Sequence, residues 1–227
     1  MFFKSFLQNT SLKVVSGDKM MNKAWGPVWH TKQRAQGIIP EGLHGLDKEA
    51  TWGKSHSDGW VYGHGSFCLV SHDPCVLGAF KYIRNSAHEA KRLWLETGQL
   101  RGVVETVIMD SKADDQALFA EFQRQRGMTL LTTPRKHCDR TAVRRQQMLK
   151  VLDRPINRRL RKQRGHTVEP MQGVVKDIFA LERCWMRGYQ NNRWLFAAMG
   201  VAVQLHQARA LKRHRSPWKI KQEVLGS

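Results

Sequence analysis

The stretch HTVEPMQGVVKDIF, residues 166–179, places two side chains that could take part in chemistry on one face of a predicted helix. Glu169 and Lys176 are seven residues apart, about two helical turns, so both point in the same direction. Pro170 disfavours helical geometry for the residue before it, which puts Glu169 at the very start of this helix. The plainer interpretation is that Glu169 only complements the helix dipole with its negative charge, and this stretch alone does not exclude it.

A second carboxylate, Asp110, ends the apolar run of Val107, Ile108 and Met109. A strand of this kind delivers its terminal aspartate to the carboxyl edge of a sheet, where open α/β sheets bind their ligands. An aspartate that simply begins a loop is the plainer alternative. Together, Asp110 and Glu169 suggest ligands for Mg²⁺, which binds carboxylate oxygens along with substrate phosphates. A pair of such ions clamps the attacking and leaving oxygens of an in-line phosphoryl displacement.

The chain as a whole is strongly basic, with 38 Lys and Arg against 19 Asp and Glu among 227 residues, a formal charge of +19. This excess favours a polyanionic partner, nucleic acid first and a membrane surface second. No apolar run approaches the roughly 18 residues of a membrane-spanning helix, and MFFKSFLQ is too short for a signal peptide. The four scattered cysteines form no CxxC pair and fit reduced thiols. We therefore expect a soluble cytoplasmic protein.

The densest positive charge lies at residues 135–164, where twelve Lys or Arg stand against Asp139 and Asp153. Such a run is usually a solvated face. This one ends immediately before Glu169, which favours phosphate binding. The candidates for phosphate contacts are the arginines of INRRLRKQRGH, namely Arg158, Arg159, Arg161 and Arg164.

Hydrophobic periodicity predicts the elements that must position these side chains. Strand-like runs occur at residues 13–16, 60–71, 74–84, 105–110 and 128–132. The second and third are close enough to form a hairpin. A capping-box pattern of Ser86 and Glu89 opens one helix, and Asp114 or Asp115 caps another that Gly127 ends. Three strands followed by alternating helices and strands predict an α/β fold, a mixed sheet flanked by helices.

Two further segments are predicted less directly. The segment from Trp25 to Gly59 has no clear period and is predicted to be a long ordered loop between the first two strands. The last long helix is predicted from about Asn191 to Arg213. Five of its apolar residues have the spacing of a core-facing stripe: Trp194, Ala198, Val201, Leu205 and Ala208.

Two stretches, VIMDSKADDQALFAEFQRQRGMTLLTTPRK and VEPMQGVVKDIFALERCWMRG, resemble the catalytic core of the DDE transposases of bacterial insertion sequences. That domain has a ribonuclease H-like fold, and the resemblance covers about residues 13–207. Glu169 matches the family's glutamate, Lys176 the lysine seven residues after it, and Asp110 the aspartate after the fourth strand. The aromatic residue usual before the next aspartate is replaced by Ala113, and the family's tyrosine before the glutamate is missing.

The resemblance implies DNA transposition and recombination chemistry: metal-dependent cleavage and strand transfer, with Mg²⁺ or Mn²⁺ held by Asp110, Glu169 and a first-strand aspartate. Asp18 is the residue expected there, although the family pattern sets Gly17 where the aspartate belongs. A bulge at Gly17 would restore Asp18 to the metal face, and Asp47 is the fallback. The DNA-binding residues would be Lys176, Arg158, Arg159, Arg161 and Arg164. They would bind double-stranded DNA, both the transposon ends and the target, and the protein could act as a homodimer on it.

The resemblance also implies a division of the chain. Residues 1–12 would be a short N-terminal remnant, 13–207 a ribonuclease H-like catalytic domain with an inserted loop at 22–59, and 208–227 a basic C-terminal tail. The family has a helical DNA-binding region before the first strand, so a truncated or decayed copy, associated with a bacterial nucleoid, stays open. A catalytically inactive DNA-binding remnant is one alternative.

A basic RNA-associated protein is the second alternative, because exposed aromatic side chains could stack on RNA bases. The candidates are Trp25, Trp29, Trp52 and Trp60. Packing of the long loop is the favoured interpretation of these tryptophans.

Overall fold

The structure is a computed structural model that describes residues 2–10, 13–55, 58–137 and 141–225. Within those residues six strands form one mixed sheet. They are β1 (Val14–Lys23), β2 (Thr51–Ser55), β3 (Gly59–Ser71), β4 (Leu77–Arg84), β5 (Thr106–Ile108) and β6 (Thr129–Leu131). The helices are α1 (Phe2–Gln8), α2 (Thr31–Ala35), α3 (Glu89–Thr97), α4 (Gln116–Glu121), α5 (Val143–Leu152), α6 (Pro155–Gln163), α7 (Val168–Ile178), α8 (Tyr189–Lys212) and α9 (Ile220–Leu225). The predicted α/β class, a mixed sheet flanked by helices, is confirmed.

The sheet is built around β3, which pairs with three neighbours. β1 lies antiparallel along one edge of β3, while β2 pairs with its residues 59–63 and β4 with its residues 64–70. The predicted hairpin of β3 and β4 is therefore confirmed. Beyond β1 the strands β5 and β6 follow in parallel. This parallel half is where carboxyl ends of strands meet at one edge of the sheet.

Strand β3 is buried on both faces because its alternate side chains enter two hydrophobic cores. Phe67 and Leu69 pack in one core with Leu93 of α3. Cys68 and Val70 pack in the other, which α7 and α8 cover. Side chains alternate along a strand, so one continuous apolar run supplies both layers.

The segment predicted as a long loop contains α2 and β2, so the prediction of a loop throughout is wrong. β2 reads TWGKS, which is too short and too polar to show a period. Trp29 is buried in a small core with Tyr62, and Trp52 packs against it. The indole N–H of Trp52 donates to the backbone oxygen of Trp29. Packing is thus the role of these two tryptophans, whereas Trp25 and Trp60 are exposed.

A buried polar network ties this segment to the sheet and to α8. Oδ2 of Asp47 lies 2.8 Å from Nε2 of His64 and accepts a 2.9 Å hydrogen bond from the Gly188 amide. Nδ1 of the same histidine lies 2.9 Å from the hydroxyl of Tyr82. Burial raises the pKa of Asp47, but the hydrogen bonds from His64 and Gly188 outweigh it and hold the pKa below its ordinary value. Asp47, the fallback metal ligand, is fully engaged in the fold.

Helix α8 lies close to its predicted bounds, but the predicted core stripe faces outward. Trp194 is 74 %, Val201 53 % and Leu205 66 % exposed. The buried face instead carries Asn192, Phe196, Met199, Gly200, Val203, Gln207 and Ala210. Periodicity could not choose between the faces, because α8 is apolar on both and its buried polar residues bond backbone groups. Oε1 of Gln207, for example, accepts a 2.8 Å bond from the Leu77 amide.

A buried ion pair anchors the basic segment to the sheet. The guanidinium of Arg145 on α5 contacts both carboxylate oxygens of Asp114, at 2.6 and 2.7 Å. Asp114 also accepts a 2.7 Å bond from the Arg135 amide. The cap of α4 is Asp115, which accepts from the Leu118 amide as predicted. Across the described residues, no helix is both long and apolar enough to span a membrane.

A candidate metal centre beside the basic face

Asp18 on β1 and Asp110, two residues past the end of β5, occupy equivalent positions along neighbouring parallel strands. Ser16 of β1 pairs with Ile108 of β5, and each aspartate follows its strand's member of that pair by two residues. Residues two apart on a strand point to the same face, so the two carboxylates converge. Asp110 also turns the chain away from the sheet, because its Oδ1 accepts a 3.0 Å bond from the Lys112 amide.

Strand β1 runs through this site without the predicted bulge. Gly17 pairs with Leu69 and Asp18 with Cys68 in unbroken register, so the bulge expected at Gly17 is absent. A Cβ at Gly17 would lie 2.7 Å from Leu93 Cδ1 and 2.8 Å from Phe67 Cζ. An aspartate at position 17 would therefore enter the core. Asp18 is the β1 residue whose carboxylate comes to Asp110.

The third carboxylate at this point is Glu89, which the sequence predicts to be part of a capping box with Ser86. The cap of α3 is instead His88, whose Nδ1 accepts a bond from the Ala90 amide. The Ser86 amide donates to Thr51, so the predicted capping box is wrong. Glu89 turns toward the strand ends, where one ligand oxygen from each of Asp18, Glu89 and Asp110 lies within 4.8 Å of the others.

Glu89 is almost fully buried and unevenly paired. Its Oε1 lies 2.7 Å from Nζ of Lys112 and 3.5 Å from Nζ of Lys19. Lys19 is held in place by donating to the backbone oxygens of Asn85 and Ala87, each at 3.1 Å. Oε2 of Glu89 has no hydrogen-bond partner in the described part of the chain. A buried acceptor left in this state is costly, so it marks a place for a further donor or a cation.

The electrostatics of the cluster fit a hard divalent cation. The pKa of Asp18 is raised to about 6: burial is the largest cause, Arg164 opposes it, and the negative charges of Glu89 and Asp110 add to the rise. Three carboxylates thus crowd one partly buried point, and a divalent cation would compete there with the three cations already around them, Lys19, Lys112 and Arg164. Carboxylate oxygens from three elements at this separation are the donor set that Mg²⁺ and Mn²⁺ prefer.

Glu169 lies beside this cluster but outside it. It sits in the first turn of α7, as predicted, and its side chain is 61 % exposed. Arg164 stands between: its NH2 is 2.9 Å from Oδ2 of Asp18 and its NH1 is 3.5 Å from Oε1 of Glu169. The guanidinium therefore connects the predicted glutamate to the cluster.

The arginines expected to contact phosphates differ in their surroundings. Arg161 donates to the backbone oxygens of Thr132 and Leu152, and burial lowers its pKa. Arg158 is 60 % exposed, with Nε 3.5 Å from a carboxylate oxygen of Asp153. Arg159 is exposed along a groove of 490 Å³ at the end of β3. Arg158 and Arg159 are thus accessible, while Arg161 helps to hold the segment.

The comparisons with known proteins bear on the fold. No protein-family model matches the sequence, and no curated protein matches it. The fold is similar to that of a piggyBac transposase, solved by cryo-EM in a synaptic complex with hairpin DNA, at a TM-score of 0.54 and 9 % identity. The similarity covers 98 % of this chain and 54 % of that one, so the chain spans about half the length of that transposase. At this identity the likeness shows a transposase-like fold.

Proposed function

We propose that this chain is the catalytic domain of a DDE transposase, of the kind found in bacterial insertion sequences. It would cut transposon-end DNA and join it to target DNA with the help of Mg²⁺ or Mn²⁺. The observation that carries the proposal is the convergence of Asp18, Glu89 and Asp110 at one edge of the sheet, where no described residue bonds Oε2 of Glu89. A transposase-like fold and a charge of +19 support it.

The residues that would hold the cation are Asp18 and Asp110, with Glu89 or Glu169 as the third ligand. When bound, the cation would offset the charge of the reacting phosphate and activate the attacking oxygen. Glu89 can contribute the unpaired Oε2. Glu169 can contribute only after Arg164 releases Asp18, and a DNA phosphate is the anion that would draw this guanidinium away.

The basic face, formed by the exposed arginines of residues 135–164, would hold the DNA backbone. Arg158 and Arg159 are accessible and carry charges that phosphates would neutralise. Lys176, on the same helix as Glu169, would contact a phosphate near the cut. Each such contact releases counterions, so the DNA-binding constant should fall as the salt concentration rises. In a plot of log K against log salt concentration, each neutralised phosphate should contribute about −0.9 to the slope. The double-stranded substrate is therefore held mainly through its backbone, and base contacts would supply any sequence preference.

A second candidate is an inactive DNA-binding remnant of the same fold. It is favoured by one observation: cationic side chains already pair with the cluster, Lys112 and Lys19 with Glu89 and Arg164 with Asp18. Such pairs could stabilise the carboxylates without an ion. The protein would then bind DNA and leave it intact.

Calorimetric titration with Mg²⁺, run beside plasmid nicking in Mg²⁺ or Mn²⁺, tests both candidates. Asp18→Asn and Asp110→Asn should abolish nicking and weaken Mg²⁺ binding by about 10-fold or more. Asp177→Asn is the matched control, because Asp177 is a half-exposed carboxylate on α7 paired with Lys221, and it should change neither result.

The outcomes separate the candidates. DNA binding without Mg²⁺ binding or nicking would support the inactive remnant and overturn the active enzyme. A protein that binds neither DNA nor Mg²⁺ would overturn both. Glu89→Gln and Glu169→Gln identify the third ligand, because only the true ligand should weaken Mg²⁺ binding when its charge is removed.

A further inference from the structure

One face of α8 presents large apolar side chains to solvent. We call Trp194, Ala198, Val201 and Leu205 the α8 stripe; its three large members are 74 %, 53 % and 66 % exposed. Single exposed apolar residues are ordinary, but a continuous row on one helix face is typical of an interaction surface. The row plays no part in the metal centre or the basic face.

The spacing and charge of the stripe indicate what kind of partner covers it. Its residues follow one another at intervals of four, three and four, the pattern by which one helix packs along another. From Trp194 to Ala208 the chain has no Lys, Arg, Asp or Glu, although its formal charge is +19. The stripe itself therefore offers no cation to a polyanion, although Lys81, Arg92 and Arg193 line a pocket beside Trp194 at one end of it. Along this uncharged stretch of α8, two copies of so basic a chain can meet with little repulsion.

The stripe is complementary to itself when two copies of α8 run antiparallel. About an axis between Met199 and Gly200, Trp194 meets Leu205 of the second copy and Ala198 meets its Val201. All four stripe residues then lie in the contact, each pairing a larger with a smaller side chain. A surface that fits its own copy in this way is the requirement for an isologous twofold interface.

The residues around the stripe suit the same arrangement. The nearest cations on the helix, Arg193 and Arg209, fall opposite His206 and Gln190 of the second copy, so no two arginines face each other. Next to the stripe runs a groove of 610 Å³ between α8 and β4. Its lining is partly apolar, with Phe2 and Ala197, and partly charged, with Lys4, Lys81 and Glu96.

We infer that the α8 stripe is the interface of a homodimer in which the two α8 helices pack antiparallel about this axis. The inference goes beyond the proposed function and does not depend on metal or DNA. The partner that covers the α8 stripe is a second copy of this chain. The spacing of the stripe residues, the lack of charge between Trp194 and Ala208 and the pairing about the twofold axis all favour an identical helix.

Sedimentation equilibrium at micromolar concentration, without DNA or Mg²⁺, tests the inference. The wild type should be dimeric and Val201→Glu monomeric, because two buried carboxylates would face the apolar stripe. Val201 is 53 % exposed in the single chain, so the variant should still fold and keep the wild-type circular dichroism spectrum, although loss of the dimer should lower its unfolding midpoint. Val143→Glu, at a 70 % exposed valine on α5, is the matched control and should remain dimeric. A monomeric wild type, or a Val201→Glu protein that stays dimeric, overturns the inference.

Cross-linking tests the orientation of the helices. The double variant Ala198→Cys with Val201→Cys should form a disulfide-linked dimer on mild oxidation, since these positions meet across the axis. The wild type under the same oxidation reports any link through native cysteines, and Leu95→Cys, an exposed position on α3, should add none. A dimeric protein whose double variant fails to cross-link would overturn the antiparallel pairing.

Discussion

The ammonium group of Lys112 lies 2.7 Å from Oε1 of Glu89, among the carboxylates of the candidate metal centre. Partial burial lowers the pKa of Lys112, but the hydrogen bond and charge of Glu89 outweigh this, and Asp110 and Asp18 add to them. The pKa is therefore raised and the lysine stays charged. It competes with any divalent cation for the same oxygens.

Replacing Lys112 by methionine should accordingly strengthen Mg²⁺ binding. Removing one positive charge near the ligands should make the free energy of Mg²⁺ binding more favourable by on the order of 1 kcal/mol, at an effective dielectric between that of protein and water. This corresponds to somewhat less than a 10-fold increase in affinity. Calorimetric titration measures it, and Lys91→Met, at an exposed lysine on α3, should leave the affinity unchanged. Equal affinities for wild type and Lys112→Met would mean that the lysine does not compete.

Two glycine-to-alanine substitutions should change stability in opposite directions. In Gly17→Ala the new Cβ would press on Leu93 and Phe67 at 2.7 and 2.8 Å, and overpacking of this kind costs about 1–3 kcal/mol. In Gly173→Ala no atom of the described residues lies within 4 Å of the new Cβ, and the change should stabilise α7 by about 0.5–1 kcal/mol. Urea denaturation measures both, and an unchanged midpoint for Gly17→Ala would contradict the tight packing at β1.

The ion pair of Asp114 and Arg145 should contribute strongly to folding. Both side chains are almost fully buried, and Arg145→Met would leave Asp114 as an uncompensated buried charge, at a cost of about 3–5 kcal/mol in unfolding free energy. Arg92→Met serves as comparison: its pair with Glu96 is partly exposed and should cost about 1 kcal/mol or less. Similar losses in the two variants would show that burial adds nothing to the first pair.

His72 should make stability depend on pH. Burial lowers its pKa from 6.5 to about 4, and its Nε2 lies 2.6 Å from the hydroxyl oxygen of Ser16. The unfolded chain therefore takes up a proton below pH 6.5 while the folded protein does not, so stability falls as the pH drops from 6.5 toward 4. Relative to His72→Gln, the wild type should lose on the order of 1.4 kcal/mol per pH unit in this window. A difference that does not vary with pH between the two proteins would contradict the prediction.

Five of the six strands, and their order along the chain, could be predicted from sequence because most of their signals are local. The apolar runs of β3 and β4, and the cap of α4 by Asp115, lie within a few residues of the structure that they specify. β1 was harder to predict in full, since Gly17 and Asp18 interrupt its apolar pattern while its pairing with β3 continues.

The candidate site was predictable only in part, because its third carboxylate depends on tertiary structure. Asp110 could be found from the strand that it ends. Glu89 could not, since a glutamate at the start of a helix has a local explanation and only the approach of α3 to the strand ends turns it toward Asp18. The outward face of α8 has the same origin: both faces are apolar, and the sheet buries the one that carries Phe196.

The bonds from the segment between β1 and β2 to the start of α8 bear on the order in which the chain can fold. Gly188, the residue before α8, has no side chain that could cap the helix. Instead, the Gly188 amide donates to the Asp47 carboxylate, and the Tyr189 amide donates to the carboxylate of Glu49, which lies 140 residues earlier in the chain. The first turn of the helix is thus completed by residues that leave the ribosome much earlier. A chain whose first half is misfolded leaves these two amide groups without their acceptors. The start of α8 therefore reaches its native hydrogen bonding only after the segment that carries Asp47 and Glu49 has folded.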